Sequence, residues 1–239
     1  MSAENAVSNQ EIWESRYRRG EVVNRYPFEM VVSFVLRHFG KGDRAATRIL
    51  DYGCGGGNHC AFLAREGFDF YGVDFSVSAI RHAASVIEAA GGNVQPNKLI
   101  CTDFAHTGFP DSHFDAVIDR QSLDQNMASS LPALVAEIHR ILKPGGKYLG
   151  INFSDRHPAL AYGRSLGNGD YAEFTRGPFK DIGARHFFSQ SELFALFHNF
   201  SILDLKELSL HSLMHEEQGS EEFVLFAQKP EAGWAKDVA

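Results

Sequence analysis

The sequence predicts an α/β fold, with a doubly wound sheet of seven strands that is mostly parallel and ends in an antiparallel hairpin. Two observations lead to this prediction. Short apolar runs typical of buried strands alternate with amphipathic segments of helical spacing, and this order builds right-handed βαβ crossovers with helices on both faces. The last two strand-like runs have no helix between them, and so short a connection requires antiparallel neighbours.

Local signals define the elements along the chain. Pro27 opens a helical pattern, Ser76 is suited to cap a longer helix, and Ser189 with Glu192 has the spacing of a capping box. Residues 1–10 and 230–239 are predicted to be loose tails. The predicted helices cover residues 27–39, 58–66, 76–90, 132–142 and a segment from 189 onward, and the predicted strands cover residues 47–51, 68–74, 97–101, 114–119, 147–153, 200–210 and 222–228.

Composition narrows the functional classes. The chain has 239 residues, 44% of them hydrophobic and 22% charged, which is typical of a globular domain. A formal net charge of −7 argues against a general nucleic-acid binder. No apolar run resembles a signal peptide or a membrane span, and three scattered cysteines suit a reducing compartment, so we expect a cytoplasmic protein without membrane contact. Of the histidines, only His211 and His215 have metal-ligand spacing, and we expect no metal site.

The ends of the predicted strands carry acids and glycines. In a parallel sheet, ligands bind beyond the carboxyl ends of the strands. The first strand ends at Asp51 and is followed by Gly53, Gly55 and Gly57, where the backbone can approach a ligand closely and the next helix offers free N–H groups. The second strand ends at Asp74, a position from which a carboxylate accepts hydrogen bonds from both ribose hydroxyls of a nucleoside.

Two further acids extend this pattern, and each has an alternative interpretation. Asp103 follows the third strand and could bind an adenine amino group, or it could form an ordinary Asx turn. Asp119 ends the fourth strand. A dinucleotide-binding turn of the form GxGxxG, read from Gly53, would need glycine at position 58, where the chain has Asn58. The sequence therefore favours a nucleoside-containing ligand other than NAD.

Residues 49–154 resemble the class I S-adenosylmethionine-dependent methyltransferases, whose fold is Rossmann-like. The resemblance rests on the glycine-rich segment 51–55, on Asp74, on Asp103-Phe104 and on the turn at residues 142–146 before the fifth strand. It implies S-adenosylmethionine as cofactor and S-adenosylhomocysteine as product. Segment 13–17 is similar to a leading helix that folds over this cofactor, although core packing is the simpler role for Trp13. The residues that the resemblance assigns to cofactor binding are Tyr17, Asp51, Gly53, Cys54, Gly55, Gly57, Asp74, Phe75, Asp103, Phe104, Asp119 and Arg120.

The resemblance also implies a division of the single domain. Residues 1–46 would form N-terminal cap helices, 47–154 the cofactor-binding core, 155–188 a substrate lid, and 189–229 the last helix and the β-hairpin.

The methyl acceptor is expected to be a small molecule. Arginines in the predicted lid could hold a carboxylate or a phosphate, and His186 could act as a general base. The candidate catalytic residues are Arg120, Arg185 and His186. Two alternatives stay open, a protein lysine methyltransferase and a non-catalytic binding subunit. The Asn/Asp-Pro-Pro-Tyr/Phe segment of DNA amino-methyltransferases is absent after the fourth strand, which argues against a nucleic-acid substrate.

Overall fold

The computed structural model describes residues 8–21, 24–215 and 219–231. Its main sheet has seven strands in the order β3-β2-β1-β4-β5-β10-β9, in which the first five strands are parallel and β10 is antiparallel to both of its neighbours. This confirms the predicted fold class. The strands of this sheet are β1 (Arg48–Tyr52), β2 (Asp69–Asp74), β3 (Leu99–Cys101), β4 (Phe114–Arg120), β5 (Leu142–Phe153), β9 (Ser201–Leu210) and β10 (Ser220–Gln228).

Helices cover both faces of the sheet because its central strands are apolar on both sides. On β1, Ile49 packs in the layer formed with α2, α3 and α4, whereas Leu50 packs in the layer formed with α5 and α6. Among the described residues, no helix combines the length and the apolar character that crossing a membrane requires. The helices are α1 (Asn9–Arg18), α2 (Glu29–Phe39), α3 (Asn58–Arg65), α4 (Val77–Ala89), α5 (Leu131–Ile141) and α6 (Gln190–Leu196).

The structure corrects two local predictions. Ser8 caps α1 and residues 9 and 10 belong to this helix rather than to a loose tail, because Ser8 and Glu11 form a reciprocal capping box at its start. Residues 1–7 of the predicted N-terminal tail lie outside the described residues. Ser189 does cap α6 by accepting a hydrogen bond from the N–H of Glu192, but the Glu192 carboxylate lies 3.0 Å from Nε2 of His186 instead of returning to the cap. Of the predicted C-terminal tail, residues 232–239 lie outside the described residues.

Residues 155–188 fold into a small unit of their own after β5. A short 3-10 helix (Pro158–Tyr162) is followed by an antiparallel sheet of β6 (Arg164–Gly167), β7 (Asp170–Ala172) and β8 (Arg185–His186). An aromatic cluster around Phe179 and Phe187 joins this unit to Phe153 at the end of β5. The small sheet therefore stands beside the carboxyl edge of the main sheet.

Candidate functional site

One cavity lies at the carboxyl ends of β1, β2, β4 and β5, with α1 on one side and the small sheet on another. Parallel α/β sheets bind ligands at this edge. The predicted site residues that line the cavity are Tyr17, Gly53, Cys54, Gly55, Asp74, Phe75, Phe104, Arg120 and Arg185. The predicted residues outside its lining are Asp51, Gly57, Asp103, Asp119 and His186.

The glycine-rich loop after β1 forms the floor of the cavity. Gly55 has a φ of +49°, and a Cβ atom on it would lie 2.4 Å from the hydroxyl oxygen of Tyr17. Glycine is therefore required for the close approach of α1 to this loop. Burial raises the pKa of the Tyr17 phenol far above its usual range, so the hydroxyl stays protonated.

Asp74 is held at the wall of the cavity by the backbone. Its Oδ2 accepts a hydrogen bond of 3.0 Å from the N–H of Gly55, and its Oδ1 accepts one of 2.9 Å from the N–H of Ser76. Burial raises the pKa of this carboxyl to about 6, although the backbone hydrogen bonds oppose the change. Each oxygen keeps a second lone pair, so the carboxylate can still accept two hydrogen bonds from a ligand.

Aromatic rings extend the wall beyond Asp74. The Phe75 and Phe104 rings have centroids 5.6 Å apart, and Phe104 also packs on Tyr52 at 4.9 Å. Asp103 is exposed, and its Oδ1 accepts a hydrogen bond of 2.8 Å from the N–H of Ala105. This contact is that of an ordinary Asx turn, which was the alternative interpretation of Asp103.

Asp119 is fully buried beneath the loop that follows β4. Its carboxylate accepts hydrogen bonds from the hydroxyls of Ser122 and Tyr148, at 2.5 and 2.9 Å, and from the amide of Asn152 at 2.8 Å. Burial raises the pKa of Asp119, and these donors oppose the shift. The side chain therefore orders the loop instead of facing the cavity.

Asp51 contacts a cavity residue that the sequence analysis missed. Asp51 is buried, and its Oδ1 lies 3.2 Å from Nδ1 of His59, whose ring lines the cavity. The spacing could have revealed the pair, because His59 lies in the first turn of a helix that packs back on the strand carrying Asp51. Gly57, with a φ of +80°, lies against Ala83 of α4.

Helix α1 is tied to both ends of the cavity. The Glu14 carboxylate accepts hydrogen bonds from the hydroxyls of Ser76 and Ser78, at 2.7 and 2.6 Å, and these bonds lower its pKa to about 2. Trp13 donates from Nε1 to the side-chain oxygen of Gln125 at 2.9 Å. Trp13, for which the sequence favoured a role in core packing, also lines the cavity.

Arg185 lies at the far end of the cavity, between the rings of Trp13 and Phe179. This side chain is 2% exposed, and its guanidinium carbon lies 5.2 Å from the ring centroid of Trp13 and 5.4 Å from that of Phe179. Its Nη1 lies 3.9 Å from Oδ1 of Asp124, but Nε and Nη1 have no hydrogen-bond partner among the described residues. Burial lowers the pKa of Arg185 to about 10, so it remains a cation at neutral pH.

The other two candidate catalytic residues differ in position. Arg120 lines the cavity, stacked 3.5 Å over the Phe28 ring centroid. His186 is fully buried outside it, with Nδ1 2.8 Å from Asp170 and Nε2 3.0 Å from Glu192. Because both of its nitrogens face carboxylates, His186 is not available as a base toward a ligand in the cavity, and that prediction is corrected.

Comparison with known proteins places this site in a family. Residues 49–146 match the family model described as "Methyltransferase domain". Residues 49–146 therefore form a methyltransferase domain.

Similar proteins agree with this assignment. The chain is 33% identical over 119 residues to a ubiquinone biosynthesis O-methyltransferase of Mesorhizobium japonicum, covering 47% of this chain and 45% of the relative. It is 26% identical over 151 residues to a fatty-acid O-methyltransferase of Mycolicibacterium smegmatis, covering 60% and 49%. The chain thus matches less than half of the length of these two relatives.

Two solved structures share the fold. A S-adenosylmethionine-dependent methyltransferase of Methanosarcina mazei superposes with a TM-score of 0.68 at 21% identity, covering 86% of this chain and 99% of the other. The 1,6-didemethyltoxoflavin-N1-methyltransferase of Burkholderia thailandensis was solved with bound 1,6-didemethyltoxoflavin and S-adenosylhomocysteine. It superposes with a TM-score of 0.67 at 18% identity, covering 97% of this chain and 94% of the other.

The residues of the methyltransferase domain fit the cofactor of this family. Asp74 has free lone pairs for ribose hydroxyls, and Phe75 and Phe104 offer an apolar surface for an adenine ring. The Tyr17 hydroxyl over Gly55 completes an enclosure around the glycine-rich floor. These residues would hold the nucleoside part of S-adenosylmethionine.

Proposed function

We propose that the protein transfers the methyl group of S-adenosylmethionine to a small-molecule acceptor that bears a carboxylate or a phosphate. The observation that carries this proposal is Arg185, a buried cation with free hydrogen-bond donors in the same cavity as Asp74. A buried charge with unpaired donors is costly unless a ligand satisfies it. The Asp124 carboxylate lies 3.9 Å from Nη1 and supplies a counter-charge, but it does not hydrogen-bond Nε or Nη1. An anionic acceptor group would supply the missing hydrogen-bond acceptors.

The residues around Arg185 define what the acceptor must look like. Phe153, Phe179 and Ile182 line the same end of the cavity and favour an apolar body next to the anionic group. A lysine side chain would bring its ammonium group toward a buried arginine, and this repulsion argues against a protein lysine substrate. The names of the relatives, which include a fatty-acid and a ubiquinone-biosynthesis O-methyltransferase, also support a small acceptor.

The protein contributes mainly alignment and exclusion of water. When bound, S-adenosylmethionine would supply an activated methyl group on a sulfonium, and its transfer to an electron pair of the acceptor would leave the thioether S-adenosylhomocysteine. Arg185 would fix the acceptor by its anionic group, and the apolar residues of this end would exclude water from the reacting atoms. Because His186 is engaged by two carboxylates and lies outside the cavity, the proposal assigns it no role as a base.

Calorimetry tests the cofactor half of the proposal. We expect the purified protein to bind S-adenosylhomocysteine with one-to-one stoichiometry and not to bind NADH. Failure to bind S-adenosylhomocysteine would favour the non-catalytic alternative.

Methyl-labelled S-adenosylmethionine tests the acceptor half. The protein and the labelled cofactor are incubated first with fractionated cell extract, and then with carboxylic acids, each compared with its neutral amide. We expect the labelled methyl group to be transferred to the acids. Arg185→Met should lower kcat/KM for the acids roughly 10- to 100-fold, because charge-assisted hydrogen bonds are lost. Arg164→Met is the matched control, since Arg164 lies on the same small sheet but is exposed and paired with Glu173. Equal labelling of amides, or equal losses in both variants, would contradict an anionic acceptor.

A further inference from the structure

Strand β9 forms one edge of the main sheet and, among the described strands, it pairs only with β10. It is ten residues long, and most of its residues are exposed. An edge strand of this length presents a row of backbone N–H and C=O groups to which a further strand can bind. The other edge strands of the two sheets are shorter, with three residues in β3, four in β6 and two in β8. In the described part of the chain, the β9 edge is therefore the one that can hold a long partner strand.

Two opposite charges lie on this edge, one on either side of Leu205. Asp204 and Lys206 point to the same face of the sheet, because side chains alternate along a strand. Their side chains are 46% and 69% exposed, and Nζ of Lys206 lies 2.7 Å from Oδ2 of Asp204. Charges of one sign would repel a second copy of the same edge, whereas an acid and a base at this spacing attract it. The order of acid, apolar residue and base is its own complement when the strand is reversed, so this edge suits a second copy of itself.

We propose that two copies of the chain associate through β9, antiparallel to each other across a two-fold axis that passes at Leu205. In this register Asp204 of one copy lies opposite Lys206 of the other, and the axis repeats the same pair in reverse. Leu203 of one copy lies within one residue of the position opposite Leu208 of the other, and both leucines are exposed in the single chain. Pairing therefore joins opposite charges, covers apolar side chains and satisfies the backbone groups of both edges. The two main sheets become one continuous sheet.

Sedimentation velocity over a range of protein concentrations tests this association. We expect the unsubstituted protein to form a dimer as the concentration rises. Asp204→Lys places bases opposite bases, and Lys206→Asp places acids opposite acids. Each variant should weaken the dimer roughly 10-fold, because both symmetry-related pairs change from attraction to repulsion. Arg164→Glu is the matched control, since it reverses an exposed charge that is paired with Glu173 on the small sheet, and it should leave the dimer unchanged.

An equimolar mixture of the Asp204→Lys and Lys206→Asp variants gives the sharpest result. Neither variant keeps opposite charges at positions 204 and 206, yet a dimer with one chain of each kind has two attractive pairs across the axis. We expect the mixture to recover the dimer that each variant alone loses. Urea unfolding checks that both variants are folded, which we expect because both side chains are exposed. A protein that stays monomeric at every concentration overturns the inference, and so does a dimer that neither variant weakens or that the mixture fails to restore.

Discussion

Gly57→Ala tests what the third glycine of the loop does. Gly57 has a φ of +80°, and a Cβ atom on it would lie 2.6 Å from Cβ and 2.7 Å from Cα of Ala83 on α4. The left-handed backbone costs an alanine roughly 1–2 kcal/mol, and forcing α4 away adds about 1–3 kcal/mol. We expect the free energy of unfolding in urea to fall by roughly 2–5 kcal/mol.

Gly67→Ala separates the two contributions. Gly67 has the same φ of +80°, but nothing lies within 4 Å of its Cβ position, so only the backbone cost of roughly 1–2 kcal/mol applies. Thermal unfolding should rank the variants in the same order, at about 3 °C per kcal/mol for a chain of this size. Equal losses in both variants would refute the reasoning, because they would show that α4 moves aside from residue 57 without cost.

Two further predictions concern pH. Ribose hydroxyls donate to an ionised carboxylate, and the pKa of Asp74 is raised to about 6, so affinity for S-adenosylhomocysteine should be full above this pH and decline below it. Calorimetry from about pH 5 to pH 8 measures the decline, which Asp74→Asn should abolish along with most of the affinity. Burial opposes the charge on His186, but the carboxylates of Glu192 and Asp170 outweigh it and raise the pKa of His186. The stabilisation by this cluster is therefore present below about pH 6.5 and is lost as pH rises through the raised pKa. The loss of unfolding free energy caused by His186→Asn should therefore become smaller as pH rises. A loss that grew with pH would contradict a raised pKa of His186.

The fold was predictable because its signals are local. Strand and helix periods, caps and turns repeat along the chain, and the strands of the main sheet and the helices α2 to α6 begin and end within about five residues of the predicted positions. The small sheet of β6, β7 and β8 was not predicted. The start of α1 was missed although its capping box is local too, since Ser8 and Glu11 stand in a polar segment without an apolar stripe. The turn before the fifth strand was also assigned differently, because β5 already begins at Leu142 and shifts register against β4.

The site was predictable only in part, because sequence does not show which way a strand-end acid points. Asp74 faces the cavity, whereas Asp51 and Asp119 sit at equivalent strand ends and face their own supporting residues. The acceptor end depends on contacts between distant segments. Trp13 and Arg185 are brought together because the Asn9 side chain hydrogen-bonds both the carbonyl and the N–H of residue 184. No pattern in either segment alone reveals that contact.

The position of α1 has a consequence for how the two ligands influence each other. One helical turn separates Tyr17, which stands over Gly55, from Trp13, which stands over Arg185. A cofactor in contact with Tyr17 and an acceptor in contact with Trp13 would therefore rest against the same short helix. We expect their binding to be coupled through it, and thermodynamic reciprocity then requires each to change the affinity of the other by the same factor.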